Sequence, residues 1–307
     1  MKKSYFVSLI LLSAVGFCCL ARAESIESRS LVYELEERLD IPYYPEGHEH
    51  DSELTRLNLV IPKGAENPPV LMWIGGGAWA YVDRHKEMAL SRKIAQRGVL
   101  VISVGHRLSP ALLTDNKREE GIQHPEHIKD LARAFKWVFD QAGAYGYSNK
   151  NIFVGGFSSG AYLSALLAAD KRYLAEHDLS PANIRAIIPV GGGYDIPEYR
   201  RLLVQADPSY DANHIIPVFG ETNEQHVEAS PITYIEDFST PMLMFSERDT
   251  YGYGAGFEQR LREQGFQEFT VVNAYDETHA SLWTKMSKEE DYWYRDLLVD
   301  YIFRMRD

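Results

Sequence analysis

Ile152-Phe153-Val154-Gly155-Gly156-Phe157-Ser158-Ser159-Gly160-Ala161-Tyr162-Leu163 is an apolar run that breaks on glycine and passes at once into an Ala/Leu-rich helical pattern. Within it, Gly156 to Gly160 reads G-x-S-x-G. A serine at the apex of such a strand-to-helix turn sits on a sharp, strained backbone with its hydroxyl exposed. Glycine on either side lets neighbouring chain pass close to the turn. Alone, the pentapeptide could equally be a Gly/Ser turn, so the rest of the chain decides its meaning.

Working outward, apolar or β-branched runs recur at Leu57 to Ile61, Val70 to Ile74, Val99 to Val104, Ile152 to Val154, Ala186 to Val190, Met242 to Phe245 and Phe269 to Val272. Helical patterns lie between most of them, at Arg84 to Gln96, His127 to Ala142, Ser159 to Ala169 and Ala255 to Gln264, with Lys288 to Met305 last. Alternating strands and helices, with strands apolar on both faces, predict an α/β fold: a mostly parallel central sheet with helices on both faces. No repeat or long linker interrupts the pattern, so 24–307 is expected to form one domain. Within it, 194–234 is an excursion of aromatics and short helices that could lie over a site as a small lid. Ligands in such sheets bind beyond the carboxyl ends of the strands. Gly75-Gly76-Gly77, Ser158, Asp249 and His279 all fall there.

The start of the chain has another character. Met1-Lys2-Lys3, an apolar stretch from Tyr5 to Leu20, and Ala21-Arg22-Ala23 have the charged start, apolar middle and small-x-small end of a secretory signal peptide. Cleavage after Ala23 is expected, giving a periplasmic or secreted protein with no stable membrane anchor. Both cysteines, Cys18 and Cys19, leave with the segment, which excludes disulfides, thiolate nucleophiles and thiolate metal sites from the mature chain. The formal charge of −12 becomes more negative as Lys2, Lys3 and Arg22 go. That balance argues against nucleic acid and anionic membranes, whose binding needs basic patches. Nothing in the composition sets an oligomeric state.

A serine hydroxyl needs a base within hydrogen-bond reach and a third group to fix that base's tautomer. Of the histidines after Ser158, His177 sits beside Asp178 at a helix end, and His214 and His226 lie in the irregular excursion. His279 stands in a polar loop directly after the last strand and is the expected base. Asp249, a few residues past the strand Met242 to Phe245, is the expected acid, with Glu247 the alternative; Asp276 and Glu277 are too close in sequence to reach the ring. The order Ser158, Asp249, His279 is the acid-then-histidine order of one fold's triad. His48-Glu49-His50-Asp51 reads as a solvated loop and no metal site. Gly191-Gly192-Gly193 lacks dinucleotide-binding spacing, and neither metal nor organic cofactor is expected.

Trp73-Ile74-Gly75-Gly76-Gly77-Ala78-Trp79, Gly105-His106-Arg107-Leu108-Ser109-Pro110, the Gly156-to-Gly160 turn, Ser230-Pro231-Ile232 and the Asp249/His279 pair together resemble the α/β-hydrolase superfamily. The likeness is to its carboxylesterase/lipase branch, with the hormone-sensitive-lipase-like esterases and kynurenine formamidases. The resemblance implies an oxyanion hole of backbone N–H groups from Gly76, Gly77 and Ser159. It departs at Ile74, where that branch has histidine. Trp79, Tyr81, Tyr194 and Trp283 fall near the catalytic loops and are candidates for a substrate pocket. The implied activity is serine hydrolysis of a small uncharged carboxylic ester, the small molecule being the expected partner. An amidase or formamidase, thioesterase, peptidase or acyltransferase could use the same groups, and a catalytically silent binding protein could keep the same fold.

Overall fold

The protein is described here from a computed structural model, which covers residues 32–115 and 117–307. The leader expected at 1–23 lies outside the described residues. Eight strands form one sheet: β1 Leu35–Pro42, β2 Arg56–Pro62, β3 Val70–Ile74, β4 Leu100–Val104, β5 Ile152–Phe157, β6 Ala186–Val190, β7 Met242–Glu247 and β8 Phe269–Ala274. Their order is β1-β2-β4-β3-β5-β6-β7-β8. The β1–β2 and β2–β4 pairs are antiparallel, and every pair from β4 to β8 is parallel. The main helices are α1 Met88–Ala95, α2 Glu126–Asp140, α3 Ser159–Ala169, α4 Ile196–Ala206, α5 Tyr251–Glu263, α6 His279–Lys288 and α7 Trp293–Met305.

Strands β3 and β6 are apolar throughout because both faces are covered. Along β3, Val70, Met72 and Ile74 enter one core with α2 and α3, while Leu71 and Trp73 enter the other with α1, α6 and α7. Successive side chains of a strand point to opposite faces, so a strand between two helical layers needs apolar residues at every position. Helix α3 follows the same logic in three dimensions. All its residues are buried, and it is accordingly apolar all round rather than striped.

Two features differ from the sequence reading. The apolar runs begin at Leu57, yet a further strand, β1, charged and largely exposed, precedes them and is paired only along one edge. Its charges suit an outer strand, where they discourage pairing with another chain. The C-terminal helical region is two helices, α6 and α7, and Lys288 closes the first rather than opening the second. The four-residue α6–α7 connection matters because α6 begins on His279.

Candidate active site

The chain leaves β5 and enters α3 through Ser158, whose φ of 56° and ψ of −117° are strained for any residue with a side chain. The turn is fixed by packing as well as by sequence. A Cβ on Gly160 would stand 2.1 Å from the Ile74 carbonyl oxygen, and one on Gly156 would stand 2.5 Å from the Gly160 backbone. The Ser158 amide donates to Val190 O at 2.8 Å, tying the turn to β6. Its hydroxyl does not cap α3 and is left for other use. Replacing Gly160 by alanine is expected to destabilise the fold by about 3 kcal/mol or more, because the colliding atoms are backbone. Chemical denaturation checks this; a variant of unchanged midpoint would show that the β3–α3 crossing can relax.

Facing Ser158 is the loop after β3. A Cβ on Gly76 would meet the Phe157 ring at 2.7 Å and Ser158 Cβ at 3.2 Å, so this stretch of backbone lies directly against the serine. Gly77 has φ 145°, and a Cβ there would meet Tyr81 C and Val82 N at 2.6 Å. The Gly77 carbonyl accepts from Ala80 N and Tyr81 N, which curls the loop, and Ala78 and Trp79 follow with φ of 50° and 58°. Ser159 is the first residue of α3, so its N–H has no partner within the helix. Among the described residues, the Gly76 and Gly77 amides donate to no backbone carbonyl. Amides of this kind beside the serine are what an oxyanion would require.

The histidine enters from the other side. Thr278 caps α6 and forms a capping box with Ser281, which fixes His279 at the first helical position. The imidazole stacks on Phe157, with centroids 4.4 Å apart. Its Nδ1 donates to Glu247 Oε1 at 2.7 Å. The carboxylate partner places the proton on Nδ1 and leaves the Nε2 lone pair to act as base. Gly191 makes room for the pair: with φ 65°, a Cβ there would lie 2.8 Å from Glu247 Oε2 and 3.2 Å from the His279 ring.

This corrects the acid. Asp249 does not touch the imidazole; its Oδ2 accepts from the His279 backbone N–H at 2.8 Å. The physical reason is that β7 runs on through Ser246 to Glu247. In the pleat, Leu243, Phe245 and Glu247 share one face, and Leu243 and Phe245 belong to the core that also holds Leu282 and Met286 of α6. Glu247 is therefore fully buried and aimed at the helix carrying the histidine. Asp249, two residues past the strand, is half exposed and satisfies the N-terminus of α6, where a negative charge is favourable.

Ser158, Ser159, His279 and Asp249 line one cavity of about 360 Å³ together with Ala78, Gly191 and Thr250. Its wall is Trp79, Leu113, Tyr199, Leu203, Tyr210, His214 and Tyr253. Of the four aromatics expected there, Trp79 lines the cavity. Tyr81 stands behind it, its hydroxyl accepting from Leu113 N at 3.2 Å. Tyr194 is buried with its ring tilted against Phe257 and does not line the cavity, and Trp283 turns its indole N–H toward Glu87. The aromatics the sequence reading missed come mostly from 194–234, whose short helices fold over the carboxyl end of the sheet. Tyr199 and Leu203 are one helical turn apart on α4, a usable signal once that helix is placed.

His214 touches Trp79, Tyr199 and Tyr210 and shares a 3.1 Å hydrogen bond with the Tyr199 hydroxyl. Burial lowers its pKa to about 4. Because the unfolded chain protonates this histidine near pH 6.5 and the folded chain does not, stability falls as pH drops from about 6.5 toward 4, by up to about 3 kcal/mol. Buried His106 and His127 are shifted down by desolvation and add a change of the same sign. Urea midpoints at pH 7 and pH 5 should therefore differ less in His214→Phe than in the wild type. An equal loss in both would show that His214 titrates normally.

Two other polar clusters are structural. Asp130 accepts from the Tyr44 hydroxyl and from the Arg107 amide and guanidinium, binding α2 to the loop after β4. His48 stacks on Tyr44 at 4.7 Å with His50 edge-on, an aromatic cluster rather than a set of converging ligands.

Comparison with known proteins gives a family model, BD-FAE, matching residues 57–251. Esterase LipQ of Mycobacterium tuberculosis is 25% identical over 249 residues, covering 78% of this chain and 56% of that protein. The chain thus spans little more than half the length of that curated relative. Among solved structures, an esterase of Pyrobaculum calidifontis superposes with a TM-score of 0.69 at 19% identity, covering 95% of this chain and 92% of that one. A truncated carbohydrate esterase from gut microbiota gives 0.66 at 16% identity, with 90% and 98% covered. Likeness at this level of identity establishes the shared fold, that of the α/β-hydrolases.

Proposed function

The chain belongs to the BD-FAE family, and from that premise we propose that it is a secreted or periplasmic serine hydrolase cleaving small uncharged carboxylic esters through an acyl-enzyme on Ser158. The observation carrying the reading is the single cavity that holds a strained, uncapped serine and a histidine whose far nitrogen is bound to a fully buried carboxylate. LipQ and the superposed Pyrobaculum structure, both esterases, support the same reaction. The residues at 1–23 support the location.

His279 Nε2 takes the Ser158 proton as Oγ attacks the ester carbonyl. The imidazolium so formed is stabilised by Glu247, while the amides of Gly76, Gly77 and Ser159 receive the charge that develops on the carbonyl oxygen. Collapse expels the alcohol, which takes its proton from Nε2. Water, deprotonated by the same nitrogen, then frees the acid and restores the serine. Asp249 holds the His279 backbone throughout. Among the described residues the cavity wall contains no lysine or arginine, and its aromatic and aliphatic surface suits a neutral acyl or alkoxy group. The 194–234 excursion serves as its cover, since it supplies Tyr199, Leu203, Tyr210 and His214.

A fluorophosphonate probe tests the nucleophile directly. It is expected to label the wild type on the peptide containing Ser158 and to leave Ser158→Ala unlabelled. A folded wild-type protein that hydrolyses p-nitrophenyl acetate without labelling there would overturn the assignment.

A further inference from the structure

Glu87 is a carboxylate out of place. It is 2% exposed, at the turn that enters α1, yet its side chain does not cap that helix. Instead Oε2 accepts from Trp73 Nε1 at 2.9 Å and, at a longer 3.4 Å, from Trp283 Nε1. Burial holds its pKa above the ordinary carboxylate value, against the lowering effect of the two indoles. A buried acid of this kind contributes little to stability that well-packed apolar residues would not, so its position invites another explanation.

Each of its partners leads to the candidate catalytic groups. Trp73 precedes Ile74 at the end of β3, where the chain enters the Gly75–Gly77 loop. Trp283 lies one helical turn after His279 on α6. Glu87 also lies against the loop itself: a Cβ on Gly75 would meet its Cγ at 2.9 Å and its Oε1 at 3.0 Å. One side chain thus bridges the loop bearing the amide donors and the helix bearing the base. Ile74 stands where the resembling esterases have a histidine, and Glu87 supplies a polar tie beside that loop from a different element.

We propose that Glu87 is a positioning residue, holding the Gly75–Gly77 amides in register with His279 through its bridge between Trp73 and Trp283. The proposal rests on the serine-hydrolase reading and adds to it a residue that touches none of the reacting atoms. Small displacements of catalytic groups are costly, since about 1 Å of misplacement can reduce rate by about 100-fold. A lost tie should therefore appear in kcat rather than in substrate binding.

The test compares Glu87→Leu, Glu87→Gln and Trp283→Phe with wild type and Ser158→Ala, using p-nitrophenyl acetate turnover and thermal unfolding. Glu87→Leu is expected to lose about 30-fold in kcat with KM within about threefold. Glu87→Gln keeps an acceptor for the indoles and should recover to within about threefold of wild type. Trp283→Phe, which spares the Trp73 bond, should lose about threefold and carries the test if the leucine variant does not fold. Wild-type kcat in both folded Glu87→Leu and Trp283→Phe, or a Gln variant as slow as Leu, would overturn the proposal. Turnover retained by Ser158→Ala would instead remove the serine-hydrolase reading beneath it.

Discussion

Glu247→Gln should lower kcat/KM for a small ester by about 10⁴-fold, whereas Asp249→Asn should cost no more than about tenfold. Glu247 meets Nδ1 of His279 at 2.7 Å from a site with no exposure to water. As a carboxylate it accepts only, so it admits one tautomer and offsets the positive charge of the imidazolium during proton transfer. A carboxamide of the same shape offers a donor as well as an acceptor and carries no charge. The ring can then turn the wrong nitrogen toward Ser158, and its cation faces a neutral group instead of a carboxylate. Asp249 meets a backbone N–H, which any acceptor can satisfy, so asparagine should keep the start of α6 in place. Steady-state kinetics on the two purified variants decide the matter. A severe loss in Asp249→Asn with near-normal Glu247→Gln would return the orienting role to the aspartate.

Ser158→Ala should have the larger effect, about 10⁶-fold in kcat, because the alternative is direct attack by water without a covalent intermediate. A residual rate above the uncatalysed reaction should survive, since amide donors and the binding cavity do not depend on the hydroxyl. The substitution should leave stability close to wild type or raise it slightly. The hydroxyl makes no cap bond, while the strained backbone at φ 56° is imposed by Gly156, Gly160 and the crossing of β3. Turnover at trace wild-type level and an unchanged unfolding midpoint are the paired expectations. Retained turnover would mean that another group performs the attack.

How much of this is legible in the chain alone depends on whether local chemistry or distant packing sets each feature. The parallel strands are legible because burial on both faces demands unbroken apolar runs, as in Val70–Ile74 and Ala186–Val190. The turn at Ser158 is legible because the glycines on either side answer to backbone collisions at fixed offsets. Strand β1 is not, since Glu36, Glu37 and Arg38 are stabilised there by backbone pairing to β2 rather than by burial. Glu247 is hidden for the opposite reason: a charged residue after an apolar strand reads as the beginning of a loop, whereas the strand continues and the carboxylate is buried against a histidine 32 residues later. The cavity aromatics Tyr199, Tyr210 and Tyr253 belong to elements that meet only through the tertiary fold, and no spacing along the sequence joins them. Glu87 is silent for the same reason, because its indole partners lie 14 residues before it and 196 after it.

The proposed turnover requires that Ser158 become covalently acylated. Rapid acid quenching of the wild-type enzyme with p-nitrophenyl acetate, followed by peptide mass analysis, tests this directly. The expected result is a transient acetyl group on the peptide spanning Ser158, formed as fast as the first equivalent of nitrophenol is released, and persisting longer in variants slowed at His279. A burst of nitrophenol with the acetyl group on any other residue, or full turnover by Ser158→Ala, would contradict it.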